Sequence, residues 1–141
     1  MGTLFEVSAR GPLLIADPCK RTAGQVSKRV VQYLDMYPAL VDLCGLPKAE
    51  WTEGTPLTPL LDNPQAPWER PAYTVQARHW TLGRGVYDER WRHTEWDAGR
   101  NGAALFDHDR DPHERRNAAA DPGNAGTGKR LRKRLPEGPI T

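Results

Sequence analysis

Six prolines stand between positions 47 and 71: Pro47, Pro56, Pro59, Pro64, Pro67 and Pro71. Each removes a backbone N–H and fixes φ near about −65°. No long helix or central strand can run through such a stretch. Glycine adds to the punctuation, with 13 Gly and 13 Pro among 141 residues. Hydrophobic residues make up 38% of the chain, below the usual ~45–50%. These features exclude a long helical bundle and a coiled coil. They predict a loop-rich α+β domain with a modest core. The apolar run Leu13 to Ala16, which no other exceeds in length, is far short of the ~18 residues a membrane span needs.

The net charge of +2 is unevenly placed. Lys129, Arg130, Arg132, Lys133 and Arg134 crowd the C-terminal end, and the region before them is slightly acidic. The body is therefore not a basic surface for nucleic acid. Cys19 and Cys44 offer at most one bridge, and two free thiols fit the count as well.

Leu13-Leu14-Ile15-Ala16 lies between Gly11-Pro12 and Asp17-Pro18, which predicts a buried strand. Asp35 to Gly45 predicts a helix. Asp35 is its expected N-cap, Pro38 sits in its first turn, and Gly45 suits the left-handed position after its end. Met36, Leu40 and Leu43 form the expected buried stripe. Beyond Pro71 the period changes to two. Residues 72–77, 85–88, 91–96 and 103–107 read as four strands, with Trp91, His93 and Glu95 alternating with Arg92, Thr94 and Trp96. Asp88-Glu89-Arg90 makes a tight connection, and Asp97 to Gly102 reads as a hairpin loop of the Asn-Gly kind. Such a succession implies an antiparallel sheet. Asp111-Pro112 starts a capped turn. The expected organisation is 1–71 with one strand, a helix and connecting loops, 72–122 with the sheet, and 123–141 as a basic, flexible tail with one basic helix around Leu131.

Several groups could carry chemistry. Asp107, Asp109 and Asp111 have the alternation of a calcium loop, but Pro112 and Ala118 stand where that loop needs Gly and Glu. A capped turn accounts for them without a metal. His79 and His93 could act as acid–base groups, yet no nucleophile context accompanies either. Trp80, Trp91 and Trp96 could stack on a sugar, or cover a sheet. The Lys129–Arg134 run could meet an anionic partner, or be a solvated tail.

Taken in order, the segments resemble type I, formylglycine-dependent sulfatases. Thr3-Leu4-Phe5-Glu6 with Ser8 to Leu13 resembles a segment just beyond the active site of that family. Leu34 to Leu40 is similar to its "VDLYPTL" helix start, and Cys44-Gly45-Leu46-Pro47 to the helix end. Glu53 to Leu57 with Pro59-Leu60-Leu61 resembles "EGxSLxPLL", and Arg90 to Trp96 resembles "RYRYTEW". Leu105-Phe106-Asp107 with Asp111, Pro112, Glu114 and Asn117 resembles "LYDxxxDPxExxN". Within the family the resemblance is to bacterial iduronate-2-sulfatase-like enzymes.

The resemblance implies an α+β fragment: the end of an alkaline-phosphatase-like α/β core, one strand plus a helix, followed by a small C-terminal antiparallel sheet. It implies hydrolysis of a sulfate ester, on a sugar or related alcohol. It also implies a divalent cation, usually calcium, and a nucleophile made in a Cys/Ser-x-Pro-x-Arg motif. Cys19 precedes Lys20-Arg21-Thr22-Ala23 and Cys44 precedes Gly45-Leu46-Pro47-Lys48, so neither stands in that motif. No catalytic, cofactor or metal residue is therefore assigned. The expectation is a C-terminal sulfatase portion, inactive alone. Its expected partner is the N-terminal catalytic half, or a second copy bound through exposed apolar surface; neither nucleic acid nor membrane is expected. The competing readings are a stand-alone binding module derived from this region, or a calcium module built on Asp107 to Glu114. The sequence leaves the compartment open.

Overall fold

The computed structural model describes residues 3–48 and 50–136, and the chain divides into two compact units. One unit joins residues 1–12 to 71–141, and the other holds residues 13–70.

In the first unit, four antiparallel strands run in chain order: β1 (Ala72–Arg78), β2 (Thr81–Tyr87), β3 (Trp91–Trp96) and β4 (Ala103–Asp107). Alternation of side chains sets their register. Val86 pairs with His93 and Tyr87 with Arg92, while Arg92 pairs with Phe106 and His93 with Leu105. β2 is longer than its apolar content suggested. It starts directly after a two-residue turn in which His79 adopts φ 51°. The β3–β4 connection is the expected six-residue loop, residues 97–102, in which Asp97, Ala98, Gly99 and Gly102 take positive φ.

One face of the sheet carries Val86, Leu105 and Trp91, packed with Leu131 and Leu135. Leu131 belongs to α4 (Ala125–Arg132) and is fully buried. The basic helix expected around Leu131 is present and, rather than lying in a flexible tail, completes a core as far as Pro136; residues 137–141 lie outside the described residues. The reason is that the apolar residues Leu131 and Leu135 fall one helical turn apart inside the charged run. The opposite face carries Arg92, Thr94, Trp96 and Phe106. It is covered by Leu4, against which Gly83 sits closely, and by Phe5, whose ring lies 5.6 Å from that of Phe106. Phe5 is followed by the one-turn helix α1 (Glu6–Ala9). β3, an inner strand like β2, is therefore buried on both faces, and its four central residues are Arg92, His93, Thr94 and Glu95.

The outer edge of β4 is closed by Asn117 and Ala118. The Asn117 side chain accepts from Leu105 N–H (3.0 Å) and donates to the Ala103 carbonyl (3.1 Å), and Ala118 N–H donates to the Leu105 carbonyl (2.8 Å). A covered edge cannot recruit another strand.

The second unit is built on α2 (Met36–Leu43) and α3 (Thr58–Asp62), with Ala39, Leu57 and Leu60 buried together. Leu13, Ile15, Val31, Ala66 and Trp68 pack around them. Gly45 adopts φ 63° after α2, and Leu46 N–H bonds the Val41 carbonyl while Gly45 N–H bonds that of Asp42. This is the glycine-terminated helix end that the sequence predicts.

Three expectations for this unit are corrected. Leu13 to Ala16 belongs to no strand, and Leu14 is 87% exposed. A segment becomes a strand only when a neighbour pairs with it, and here none of the described residues does. The buried face of α2 is Pro38 and Ala39, while Met36 and Leu40 are exposed. Asp35 does not cap α2. It lies at the end of a 3-10 turn, Tyr33–Asp35, and its buried carboxylate accepts from Gln32 N–H and Thr55 N–H, each at 2.8 Å.

Candidate functional site

The main concentration of buried charge in the first unit lies where α1, β3 and the turn after β4 meet. Arg92 is 3% exposed. Its guanidinium pairs with Glu6 on one side and with Glu114 on the other, at 2.7 Å from Nε to Oε1. Glu114 Oε2 accepts from Glu6 N–H at 2.7 Å, and Oε1 lies 2.8 Å from His108 Nε2. The Tyr87 ring stacks under the Arg92 guanidinium, 4.7 Å away, and beside the His108 ring, also at 4.7 Å. Burial pushes the Glu114 carboxyl up, but His108, the Glu6 amide and Arg92 together hold it below the usual range. Glu114 itself has φ 52°, a left-handed conformation that aims its side chain back into this cluster.

Glu6, His108 and Glu114 bring ligand atoms within 4.8 Å of one another. They do not fit a calcium ion. Calcium takes six to eight oxygens, whereas Arg92 already places a positive charge between the two carboxylates. The Asp107–Asp111 group fits no better. Both oxygens of Asp107 are bound by Arg90, each at 2.8 Å, which holds its carboxyl below the usual range. Asp111 accepts from Arg116 N–H at 2.8 Å, closing the turn. The expected helical turn at Asp111 is a simple turn, with the carboxylate satisfying backbone as anticipated.

The other candidates are dispersed. His79 is exposed at the β1–β2 turn. His93 is buried beside Glu95, 3.7 Å from Nε2 to Oε2, and burial lowers its pKa. Glu95 is held by Arg84 at 2.7 Å and by Arg132 at 3.2 Å, so part of the basic run has an acidic partner inside the fold. Arg130 likewise pairs with Asp88 at 2.8 Å. Trp80 is fully exposed at the hairpin turn, Trp91 packs on the core, and Trp96 lies against Gly83. They do not form one wall. Cys19 and Cys44 are free and exposed.

Sequence reasoning missed the Arg92 cluster. Arg92 and Glu114 were legible only as members of motifs, and Glu6 lies 86 positions from Arg92. No local pattern joins such residues. The signal was the four polar residues in the middle of a strand otherwise placed to be internal.

A buried sheet, clamped by charge to the segment before it, is here the C-terminal domain of a sulfatase. The family model described as N-sulphoglucosamine sulphohydrolase, C-terminal, matches residues 2–139, and the chain belongs to that family. It is 36% identical over 128 residues to a Delta 4,5-hexuronate-2-O-sulfatase of Bacteroides thetaiotaomicron, covering 85% of this chain and 26% of that protein. It is 30% identical over 131 residues to human Arylsulfatase K, covering 83% and 24%. Among solved structures, a 2-O GAG sulfatase superposes with TM-score 0.62 at 30% identity, over 70% of this chain and 22% of that one. The phosphonate monoester hydrolase of Agrobacterium radiobacter shares the fold at TM-score 0.54 and 22% identity, over 70% and 23%. The chain thus spans about a quarter of the length of the curated relatives it matches.

Proposed function

We propose that this chain serves a sulfuric ester hydrolase acting on a sulfated sugar, as the C-terminal part that a catalytic half must complete. The observation that carries this reading is the match to a hexuronate-2-O-sulfatase over 128 residues, in a chain without a Cys/Ser-x-Pro-x-Arg motif. Sulfate ester cleavage needs an activated nucleophile, cationic stabilisation of the sulfuryl oxygens and an acid for the leaving alcohol. Arg84, Arg90, Arg92 and Arg132 pair with internal carboxylates, and the carboxylate groups do not fit the divalent cation of the family. Nucleophile and cation therefore belong to the catalytic half, and the chain alone is inactive. The test compares two proteins on a chromogenic aryl sulfate. The purified chain is expected to show no turnover. A chimera, in which this chain replaces the aligned segment of the Bacteroides thetaiotaomicron relative, is expected to retain it. Turnover by the chain alone, persisting through repeated purification, overturns the reading.

A further inference from the structure

Helix α4 runs into the sequence Lys129-Arg130-Leu131-Arg132-Lys133-Arg134-Leu135. The helical turn continues past Arg132: Lys133 N–H bonds the Lys129 carbonyl, and Arg134 N–H bonds that of Leu131. Leu131 and Leu135 are buried in the core, and all five basic residues are exposed. At 100° per residue, Lys129 and Lys133 fall opposite Leu131, with Arg130 and Arg134 on one flank and Arg132 on the other. Two of the five are anchored. Arg130 pairs with Asp88, and Arg132 reaches Glu95 and the Ala98 carbonyl. Lys129, Lys133 and Arg134 pair with no acidic group among the described residues, and α4 itself holds no acidic residue. Lys129 with Lys133, and Arg130 with Arg134, are like charges four positions apart, which repel. The helix dipole favours cations near this end. It does not explain a ridge without one interleaved acid, since an exposed helix face that is only solvated mixes both signs.

We infer that this ridge, made by Lys129, Arg130, Lys133 and Arg134, docks a multiply sulfated polysaccharide. The inference rests on the reading given under Proposed function and adds to it a surface that holds a polymer without cleaving it. Charge complementarity selects a polyanion, because a dense Lys/Arg run is the footprint of nucleic-acid or heparin-like partners. Three observations choose among polyanions. An anionic membrane is met by a helix that offers an apolar face to the lipid, and here Leu131 and Leu135 are already buried. A single-stranded nucleic acid is held by stacking on aromatic rings, and α4 has none. The chain before Lys129 is slightly acidic and gives no second basic surface for a duplex. Sulfate esters need neither rings nor an apolar face: they stay ionised and present oxygens to guanidinium forks and ammonium groups. The cations repeat by one helical turn, about 5.4 Å. One sulfate therefore meets only part of the ridge, and a chain bearing several engages it at effectively higher concentration.

The experiment measures binding of heparin to the full chain by calorimetry. The ridge variant is Lys129→Gln, Lys133→Gln and Arg134→Gln, three residues without an ion pair to lose. The control variant removes the same charge elsewhere, at the exposed Lys28, Lys48 and Arg115, each to Gln. Wild type is expected to bind heparin, the ridge variant about tenfold or more weakly than wild type, and the control variant within about twofold of it. Fully desulfated heparin is expected to bind about tenfold or more weakly than heparin. Thermal unfolding checks that the ridge variant is folded; if it melts early, the double variant Lys129→Gln with Lys133→Gln decides by the same criteria. No heparin binding by wild type, or equal weakening in the ridge and control variants, overturns the proposal. Oligo-dT or phosphatidylserine vesicles bound as tightly as heparin overturn the choice of occupant. Aryl sulfate turnover is a separate readout. A chimera that turns over aryl sulfate while the ridge variant keeps full heparin affinity overturns the ridge and leaves the C-terminal sulfatase reading standing. Turnover by the chain alone overturns that reading whatever the ridge binds.

Discussion

Asp35 shows how much one carboxylate can hold. Its two oxygens take the N–H groups of Gln32 and Thr55, which are separated by more than twenty positions of chain and include the start of the α2 segment. Asp35→Ala leaves two amide donors facing an apolar side chain, at a cost of about 1–3 kcal/mol for each one left dry. Asp35→Asn does not restore both bonds, because the amide offers one acceptor and turns its NH2 toward the second donor. Urea unfolding should rank wild type above Asn and Asn above Ala; an Asn variant equal to wild type would show that one of the two bonds carries no weight. Arg92 is the corresponding residue of the sheet. Arg92→Met removes the charge between Glu6 and Glu114 and should cost about 3–5 kcal/mol, as for a buried pair that loses one partner. Arg92→Lys should lie between, since an ammonium cannot bridge two carboxylates as a planar guanidinium does. Equal unfolding midpoints for all three would refute the clamp.

Among the elements, close backbone approach separates two glycines that look alike in sequence. A Cβ on Gly54 would stand 2.1 Å from the Leu34 carbonyl oxygen, a backbone atom that cannot move alone. A Cβ on Gly83 would meet the Trp96 ring at 2.8 Å and a Leu4 methyl at 2.9 Å, both side chains. Gly54→Ala should therefore destabilise more than Gly83→Ala, for which overpacking costs of about 1–3 kcal/mol apply. Leu131→Ala should cost about 2–5 kcal/mol, a loss that a solvated tail would not give. His93 adds a pH dependence. Burial lowers its pKa below 6.5, against the opposing pull of Glu95. The unfolded chain then binds a proton at higher pH than the folded one, so the contribution is complete above about 6.5 and is lost as pH falls toward the folded value. His93→Phe should flatten thermal stability between about pH 7 and pH 5.5; an unchanged slope would place the titration elsewhere. The strands were legible because alternation in residues 91–96 and 103–107 survives in the fold, and the end of α2 because Gly45 has one conformational role. The buried face of α2 was not, because apolar residues surround the helix and periodicity alone cannot choose between sides.

The whole molecule divides its order unevenly. The first unit has a complete four-strand ladder, a closed β4 edge and a helix seated on the sheet. The second has two short helices, and residues 13–32 contain neither helix nor strand. The candidate site was partly legible for the same reason: Asp107, Asp111, Glu114 and Asn117 stood out as a motif, but their work lies in binding Arg90, backbone and Arg92. Those partners come from other elements, and only the fold assembles them. Local opening free energy follows buried contact and backbone bonding, so the two units should differ in amide exchange. In the isolated chain, amides of β2 and β3 are expected to exchange slowest, because both strands are paired on each side and Val86 and Leu105 are dry. Amides from Leu13 to Val31 should exchange fastest, with α2 between, since short helices depend on packing for most of their stability. Native-state hydrogen exchange read by mass spectrometry checks this order. Equal protection of residues 13–31 and of β3 would mean that the second unit opens only when the whole chain unfolds.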